Sequence, residues 1–203
     1  MNIWAGKLGI VYDDSEASRS AVAGKLTPFR AFAYVVAALS HPEYQNTFHE
    51  QLRRRFPAVP LVSDLTTFDE MADHGAVLVD AFVREGTALA GAPNVSFPHP
   101  GSWVVDKIKD RYDPAHQRVY VNEDGGRGTA QTIEGVTPRA WALEIGKYRV
   151  LSDWIKRRVG RTLTTDELDQ FADAARACDI LAERRTKLED IPLASLIPSK
   201  IDH

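Results

Sequence analysis

Cationic side chains are concentrated between residues 147 and 161 of this 203-residue chain. Asp153 is the single acidic residue among six Lys and Arg residues there, so the formal charge of the stretch is 6 − 1 = +5. Ammonium and guanidinium groups form charge-assisted hydrogen bonds with phosphate oxygens. The stretch therefore predicts a surface for a polyanion such as a nucleic acid, with a solvated helix face as the alternative interpretation. The six residues are Lys147, Arg149, Lys156, Arg157, Arg158 and Arg161.

Arg53, Arg54 and Arg55 form a second cationic cluster, at the end of a predicted helix. Cations in the last turn of a helix interact favourably with the negative end of its dipole. The cluster therefore has a structural reason to exist. Contact with phosphates would explain the cluster equally well, and the sequence leaves both interpretations open.

A turn is predicted over residues 122–129. This segment begins with Asn122 and continues into a glycine-rich run that contains Arg127. Asn and Gly tolerate the positive φ angles that hairpin turns need. The run joins two predicted strands, so it lacks the strand-to-helix context of a phosphate-binding loop. Its adjacent acids, Glu123 and Asp124, are expected to be solvated rather than catalytic. Because groove contacts specify sequence, we expect this hairpin to reach base edges.

Signatures of catalysis do not occur in the sequence. It contains no phosphate-binding P-loop, no dinucleotide fingerprint and no G-x-S-x-G motif. The six histidines are scattered, whereas a metal needs convergent ligands. Cys178 lies on the apolar face of a predicted helix, as expected for a buried and unreactive thiol. We therefore expect no catalytic site, no metal and no cofactor.

Helix signals dominate the elements that must position these side chains. Thr27-Pro28 begins one predicted helix, and residues 40–43 have the capping-box form before a second. Capping boxes also predict helices over residues 67–84 and from 164 to about 188. Gly75 interrupts the third helix at a cost of about 1 kcal/mol relative to alanine, which predicts close contact with another helix.

Three short strands are predicted over residues 118–121, 129–133 and 141–145. Trp141, Leu143 and Ile145 alternate with Ala142 and Glu144, the period of a strand with one buried face. The predicted fold is α+β and mainly helical, with helices packed around a small antiparallel β meander. We expect a single domain over residues 1–203, with a possible subdomain boundary near residues 86–100, which are rich in Gly, Ala and Pro.

The composition limits the classes of function. The net charge is −3, so any contact with nucleic acid must come from local patches rather than from a globally basic chain. A single cysteine excludes a disulfide framework and suits a reducing cytoplasm. No signal peptide is evident, and the longest apolar run, residues 31–39, is too short to span a bilayer. We therefore expect a cytoplasmic protein without membrane contact.

Two blocks of the sequence carry a resemblance to a known family. The first covers residues 32–61 and continues with Phe68, Gly75 and Leu78. The second, which is more specific, contains Glu134, Gly135, Val136, Trp141, Ile145, Gly146, Tyr148, Trp154, Lys156 and Arg158. Together they resemble the C-terminal region of the single-polypeptide, ATP-dependent type ISP restriction–modification enzymes, over roughly residues 27–188. Two positions depart from the family pattern, which favours arginine at Ala58 and glycine at Lys147.

The resemblance implies a DNA-recognition module, with double-stranded DNA as its partner. In that family the nuclease, helicase and methyltransferase chemistry lies upstream, and this sequence has no Asn-Pro-Pro-aromatic motif. The resemblance thus implies a chain that is non-catalytic by itself and that has a methyltransferase or helicase subunit as a further potential partner. The chain begins shortly before the first block, so a split subunit, a shortened version or a gene remnant is expected.

Our leading hypothesis combines the charge pattern with this resemblance. Phosphates would be contacted by the cationic stretch at residues 147–161 and by the second cluster, and bases by the hairpin that contains Asn122 and Arg127. The phosphate-contacting residues would be Lys147, Lys156, Arg157, Arg158, Arg161, Arg53, Arg54 and Arg55.

Two other hypotheses remain open from the sequence. In one, the chain is a helical protein-interaction subunit that docks onto a methyltransferase or associates with itself. The docking face would be the small-residue side of the last helix, at Ala172, Ala175 and Ala182. In the other, the chain is an enzyme, which would require a deep pocket with convergent acids or histidines.

Overall fold

The computed structural model describes residues 2–15, 19, 22, 24–54, 59–62, 64–83, 89, 92–123 and 130–192. The chain divides into two compact units, of which unit 1 is Met1–Val83 with Arg184–His203 and unit 2 is Arg84–Glu183. Helices and small antiparallel sheets make the fold α+β and mainly helical, as predicted. None of the helices in the described residues is both long enough and apolar enough to cross a membrane.

Unit 1 consists mainly of helices. Its described elements, in chain order, are α1 (Asn2–Leu8), β1 (Val11–Tyr12), β2 (Lys25–Leu26), α2 (Pro28–Ser40), α3 (Pro42–Thr47), α4 (His49–Arg54) and α5 (Leu65–Val83). Strands β1 and β2 pair in parallel, with Val11 opposite Lys25. The end of a long helix, described below, completes this unit.

Helices α2 and α5 form the centre of unit 1. Thr27 caps α2 as predicted, since its Oγ1 accepts a hydrogen bond of 3.3 Å from the backbone N–H of Arg30. A Cβ at Gly75 would overlap the backbone carbonyl of Ala33, so the predicted close helix contact at this glycine is confirmed. The rings of Tyr34 and Phe68 stack across the same pair of helices, with centroids 4.8 Å apart.

Two helices in unit 1 have capping residues other than those predicted, although α3 begins at Pro42 as expected. The cap of α3 is His41 rather than Ser40, because the His41 Nδ1 accepts from the backbone N–H of Tyr44 at 3.4 Å. Helix α5 begins at Leu65, before the predicted start, because the Asp64 carboxylate accepts from the N–H of Thr67 at 2.8 Å. The capping boxes predicted at residues 40–43 and 67–70 are therefore wrong.

Unit 2 is built on a three-stranded antiparallel sheet with helices around it. The strands of this sheet are β3 (Tyr112–Asp113), β4 (Arg118–Tyr120) and β5 (Thr132–Glu134), in the order β3-β4-β5. Val119 lies opposite Tyr112 on one side and opposite Ile133 on the other. The elements that follow are α6 (Pro138–Ala142), β6 (Glu144–Ile145), β7 (Tyr148–Arg149), α7 (Val150–Lys156) and α8 (Thr165–Glu189).

The strand predicted over residues 141–145 is wrong for Trp141, which belongs to helix α6, and only Glu144–Ile145 of the range form a strand, β6. Thr137 caps this helix by accepting from the N–H of Ala140 at 3.2 Å, and Pro138 occupies its first turn. The third strand of the meander is β3 instead. Trp141 still reaches the sheet, where its ring stacks on Tyr112 with centroids 5.0 Å apart.

Helix α8 starts at the capping box predicted at residues 164–167. The N–H of Glu167 donates to the Thr164 hydroxyl and the N–H of Thr164 donates to the Glu167 carboxylate, each at 3.2 Å. Residues 165–183 of the helix belong to unit 2, and residues 184–189 belong to unit 1.

Candidate nucleic-acid interface

A two-residue turn connects β6 and β7 into a short hairpin in unit 2. Gly146 takes a φ of 62°, which lies in the left-handed region that glycine occupies without steric cost, and Lys147 follows it at the tip. The backbone N–H of Val150 donates to the Leu143 carbonyl at 3.4 Å, which closes the base of the hairpin between α6 and α7. All six residues from 144 to 149 are exposed.

The two faces of this hairpin differ in chemistry. Ile145 lies opposite Tyr148, and Glu144 lies opposite Arg149. Because successive residues of a strand point to opposite faces, one face carries the apolar pair and the other carries the charged pair. Glu144 and Arg149 form an ion pair of 2.8 Å, whose carboxylate holds the pKa of Arg149 above its usual value.

Helix α7 follows the hairpin directly and presents cations at its C-terminal end. Leu151 and Ile155 are buried and anchor the helix. Lys156 and Arg157 are exposed, and the Arg157 guanidinium lies 5.8 Å from the centroid of the Tyr148 ring. Together the hairpin and the helix end form one surface, which we call the hairpin–helix patch. Its residues are Ile145, Lys147, Tyr148, Lys156 and Arg157.

Three cations of the hairpin–helix patch are exposed and carry no neutralising partner within the described part of the chain. No described carboxylate forms an ion pair with Lys147, Lys156 or Arg157. Their charges are therefore available to a ligand in solvent. This availability separates them from the remaining cations of the predicted cluster.

Arg158 and Arg161, which were predicted to contact phosphates, share a carboxylate of the chain itself. Their guanidinium groups lie 3.0 and 3.1 Å from Glu167. Arg158 also lies 3.6 Å from the centroid of the Trp154 ring and donates to the Trp154 carbonyl at 2.9 Å. The N–H of Thr164 and then the Arg158 guanidinium hold the pKa of Glu167 below its usual range. The Arg158 side chain therefore binds Glu167 and Trp154 of unit 2. Of the two arginines, only Arg161 is exposed.

Asn122 lies in the interior, although it was predicted to reach bases. Its side chain is 6% exposed. The amide donates to the Val104 carbonyl at 3.2 Å and to the Gln131 side chain, and its oxygen accepts from the Gln131 N–H at 2.8 Å. Asn122 therefore connects the residues that follow β4 to Gln131, which precedes β5, rather than presenting a group to a duplex. Arg127 lies outside the described residues.

The second predicted cluster lies in unit 1. Arg53 and Arg54 occupy the last turn of α4, and their side chains are 66% and 78% exposed. Both approach Glu50, at 3.8 and 3.3 Å. Helix-end stabilisation and ion pairing explain their presence without a ligand. Arg55 lies outside the described residues.

Sequence reasoning missed the apolar part of the hairpin–helix patch. Ile145 was assigned to a buried strand face, but it is 48% exposed, and Tyr148 is 61% exposed. The signal that could have found them is Gly146-Lys147 between the strand-forming residues Ile145 and Tyr148, which is typical of a two-residue hairpin turn.

Comparison with protein-family models gives a match that covers most of the chain. The family model described as the Type ISP C-terminal specificity domain matches residues 15–188. No curated protein sequence is similar enough to count as a match.

Several solved structures share the fold. One is a nuclease-deletion mutant of the Type ISP restriction-modification enzyme LlaGI in complex with a DNA substrate mimic, with a TM-score of 0.52 and 17% identity over 84% of this chain and 14% of that one. A DrdV–DNA complex gives a TM-score of 0.55 and 18% identity over 82% of this chain and 18% of that one. The ATP-dependent Type ISP enzyme LlaBIII bound to DNA gives a TM-score of 0.52 and 18% identity over 87% of this chain and 12% of that one.

The chain therefore spans less than a fifth of the length of these enzymes. At this level of identity the likeness establishes the fold. The family assignment comes from the specificity-domain match, which covers well over half of the sequence: the chain belongs to the family of Type ISP C-terminal specificity domains.

Proposed function

We propose that this chain recognises double-stranded DNA as the specificity module of a restriction–modification system, and that the hairpin–helix patch contacts the duplex. The observation that carries the proposal is the exposure of Lys147, Lys156 and Arg157, which have no carboxylate partner among the described residues. Membership of a specificity-domain family supports it. The solved structures that share the fold are DNA complexes, which also supports it.

Phosphate binding is the contact that the cations of the patch can make. Exposed ammonium and guanidinium groups displace condensed counterions from a duplex, and this release makes binding depend steeply on salt. Arg158 and Arg161 contribute less to such binding, because Glu167 already offsets their charge. Lys156 and Arg157 also lie at the negative end of the α7 dipole, and this position is compatible with phosphate contact because both residues are exposed.

A salt titration with a charge-matched control tests the proposal. Binding of a random-sequence duplex is measured by fluorescence anisotropy for the wild type, for Lys156→Ala/Arg157→Ala and for Lys107→Ala/Lys109→Ala. Lys107 and Lys109 are exposed cations of unit 2 outside the patch. The patch variant should bind every duplex more weakly, and its slope of log K against log salt should fall by about 0.9 for each phosphate contact removed.

The control variant should keep the wild-type affinity and slope. Equal losses in the two variants would show that binding follows net charge rather than the patch. No binding by the wild type even at low salt would contradict duplex recognition itself.

The same proposal places catalysis elsewhere in the restriction–modification system. The sequence contains no phosphate-binding P-loop, no dinucleotide fingerprint and no Asn-Pro-Pro-aromatic motif. A methyltransferase or helicase region would then act on DNA that this module positions. Incubation of the chain with duplex DNA and a methyl donor should leave the DNA unmethylated, and methylation by the purified chain would contradict this part of the proposal.

The alternative of a docking face on α8 receives less support. Ala172 and Ala175 are 3% and 1% exposed, so the chain itself already covers most of the small-residue face. A partner could not reach these residues without opening the fold.

A further inference from the structure

The hairpin–helix patch carries an apolar feature that phosphate binding does not use. Ile145 and Tyr148 are directly opposite each other in the β6–β7 register, so their side chains share one face of the hairpin. They are 48% and 61% exposed. Neither side chain contributes to the core of unit 2, and an apolar pair at a hairpin tip becomes more favourable when a partner removes it from water.

Cations flank this apolar pair. Lys147 occupies the turn between the two residues, and the Arg157 guanidinium lies 5.8 Å from the Tyr148 ring. A complementary ligand has apolar groups at its centre and negative charges at its edges. The major groove of DNA has this distribution, because thymine methyl groups lie on its floor and phosphates line both sides.

The dimensions of the hairpin suit the same groove. Neighbouring strands lie about 4.8 Å apart, and a two-stranded ribbon enters the major groove, which is about 12 Å wide, whereas the minor groove of about 6 Å is too narrow. The opposite face carries the Glu144–Arg149 ion pair and is polar. The hairpin therefore has one face suited to base edges and one suited to solvent.

We propose that Ile145 and Tyr148 discriminate thymine in the major groove by packing against its 5-methyl group, while Lys147 and Arg157 contact the flanking phosphates. The inference rests on the proposed function of duplex recognition and adds the element and the chemistry that select a base. Apolar contact distinguishes thymine from cytosine and uracil, which lack the methyl group. The same contact accepts 5-methylcytosine, because its methyl group lies at the same ring position.

Selection from a randomised duplex pool tests the proposal. The wild type, Ile145→Ala, Tyr148→Ala and Lys156→Ala/Arg157→Ala are each used to enrich bound sequences. We expect the wild type to enrich a motif that contains at least one thymine. Each single variant should bind the pool but lose the preference at that position. The double variant should bind all sequences more weakly and retain the motif, since phosphate contacts carry no base information.

Removing the thymine methyl group from the DNA tests the same contact without changing the protein. Each thymine of the enriched duplex is replaced by uracil in turn, and one or two replacements should weaken wild-type binding about fourfold, the ratio that corresponds to one buried methyl-sized group. Ile145→Ala should be insensitive to the same replacements. Restoring the methyl group as 5-methylcytosine opposite guanine should recover part of the lost affinity.

Three outcomes would overturn the inference. A wild-type motif that both single variants retain, with no effect of uracil, would show that the apolar pair does not select a base. Salt-sensitive binding without any enriched motif would overturn base discrimination and leave the proposed function standing. Absence of binding to the pool at low salt would overturn both.

Discussion

Arg157 and Arg158 are neighbours in sequence, but their environments give them different roles. Arg157 is exposed, whereas the side chain of Arg158 is 20% exposed, pairs with Glu167 and lies over Trp154. Truncation of Arg158 therefore removes packing as well as charge. This difference between adjacent residues allows a matched pair of substitutions.

We expect Arg158→Ala to lower the free energy of unfolding by about 1–3 kcal/mol, because a half-buried cation–π and ion-pair contact is lost. Arg157→Ala should change it by less than about 0.5 kcal/mol, as is usual for an exposed side chain. Urea denaturation followed by fluorescence measures both. The ranking should reverse for duplex binding, where Arg157→Ala has the larger effect. Equal stability losses would contradict the assignment of roles.

The Arg139–Asp179 pair gives a prediction that depends on pH. The Asp179 side chain is 3% exposed, and Arg139 donates to both of its carboxylate oxygens at 2.7 Å. Burial acts to raise the pKa of Asp179, but hydrogen bonds from Arg139 and Thr137 outweigh it and lower the pKa below its usual value. Because the folded-state pKa is depressed, the pair stabilises the fold above the unfolded-state value of about 3.9, and this stabilisation is lost as the pH falls through the folded-state value.

Arg139→Ala should lower the free energy of unfolding at pH 7 by about 2 kcal/mol, a value reduced from that of a fully buried pair because Arg139 is half exposed. The substitution removes the hydrogen bonds from Arg139 that lower the pKa of Asp179, while burial still raises it, so this pKa is higher in the variant. The difference in the free energy of unfolding between the wild type and Arg139→Ala should therefore shrink as the pH is lowered from 7 towards 4. Urea titrations at several pH values measure it. Arg149→Ala, which breaks an exposed pair, is the control and should show little effect at any pH. A deficit that grows with acidity would contradict the account.

Among the elements, the contact between α2 and α5 depends on a glycine. A Cβ at Gly75 would overlap the Ala33 backbone, whereas a Cβ at Gly6 in α1 has no heavy atom within 4 Å. Gly75→Ala should destabilise the protein by about 1–3 kcal/mol through overpacking. Gly6→Ala should be neutral or stabilising by about 0.5–1 kcal/mol, since alanine favours the helix. Thermal denaturation of both variants measures the difference, and a neutral Gly75→Ala would contradict the close packing.

Local capping signals predicted some elements and were overlooked in others. Thr27-Pro28 and Thr137-Pro138 are the same helix-start signal, and both begin helices. The second was overlooked because Trp141, Leu143 and Ile145 also alternate like a strand. In this segment a helix cap and a short apolar–polar alternation predict different structures, and the helix forms. The cap satisfies backbone N–H groups that a two-residue strand leaves unpaired.

Properties that depend on distant partners could not be predicted. Asn122 is buried because Val104 and Gln131 accept and donate its hydrogen bonds, and neither partner is recognisable from the local sequence. The position of the cationic cluster was visible in the sequence, but the division of its members between solvent and Glu167 was not. Local patterns therefore indicated a region of the chain, and tertiary contacts determined which residues remain available in it.

At the scale of the whole molecule, α8 contributes residues to both compact units. We predict that the chain unfolds as the single domain expected from the sequence, since loss of either unit removes packing from the same helix. Trp4 lies in unit 1, and the other three tryptophans, Trp103, Trp141 and Trp154, lie in unit 2. In a Trp4→Phe background, Gly75→Ala should therefore still shift the urea midpoint reported by unit 2 fluorescence. An unchanged midpoint would show that the two units unfold independently.

The central claim is that duplex DNA binds the hairpin–helix patch, and lysine acetylation of the wild-type chain with and without a random-sequence duplex tests it most directly. Lys147 and Lys156 belong to the patch, and Lys107 and Lys109 are exposed lysines elsewhere in unit 2. The account predicts that duplex slows acetylation of Lys147 and Lys156 severalfold and leaves Lys107 and Lys109 unchanged. Binding of duplex with equal protection of all four lysines, or with protection of Lys107 and Lys109 alone, would contradict it.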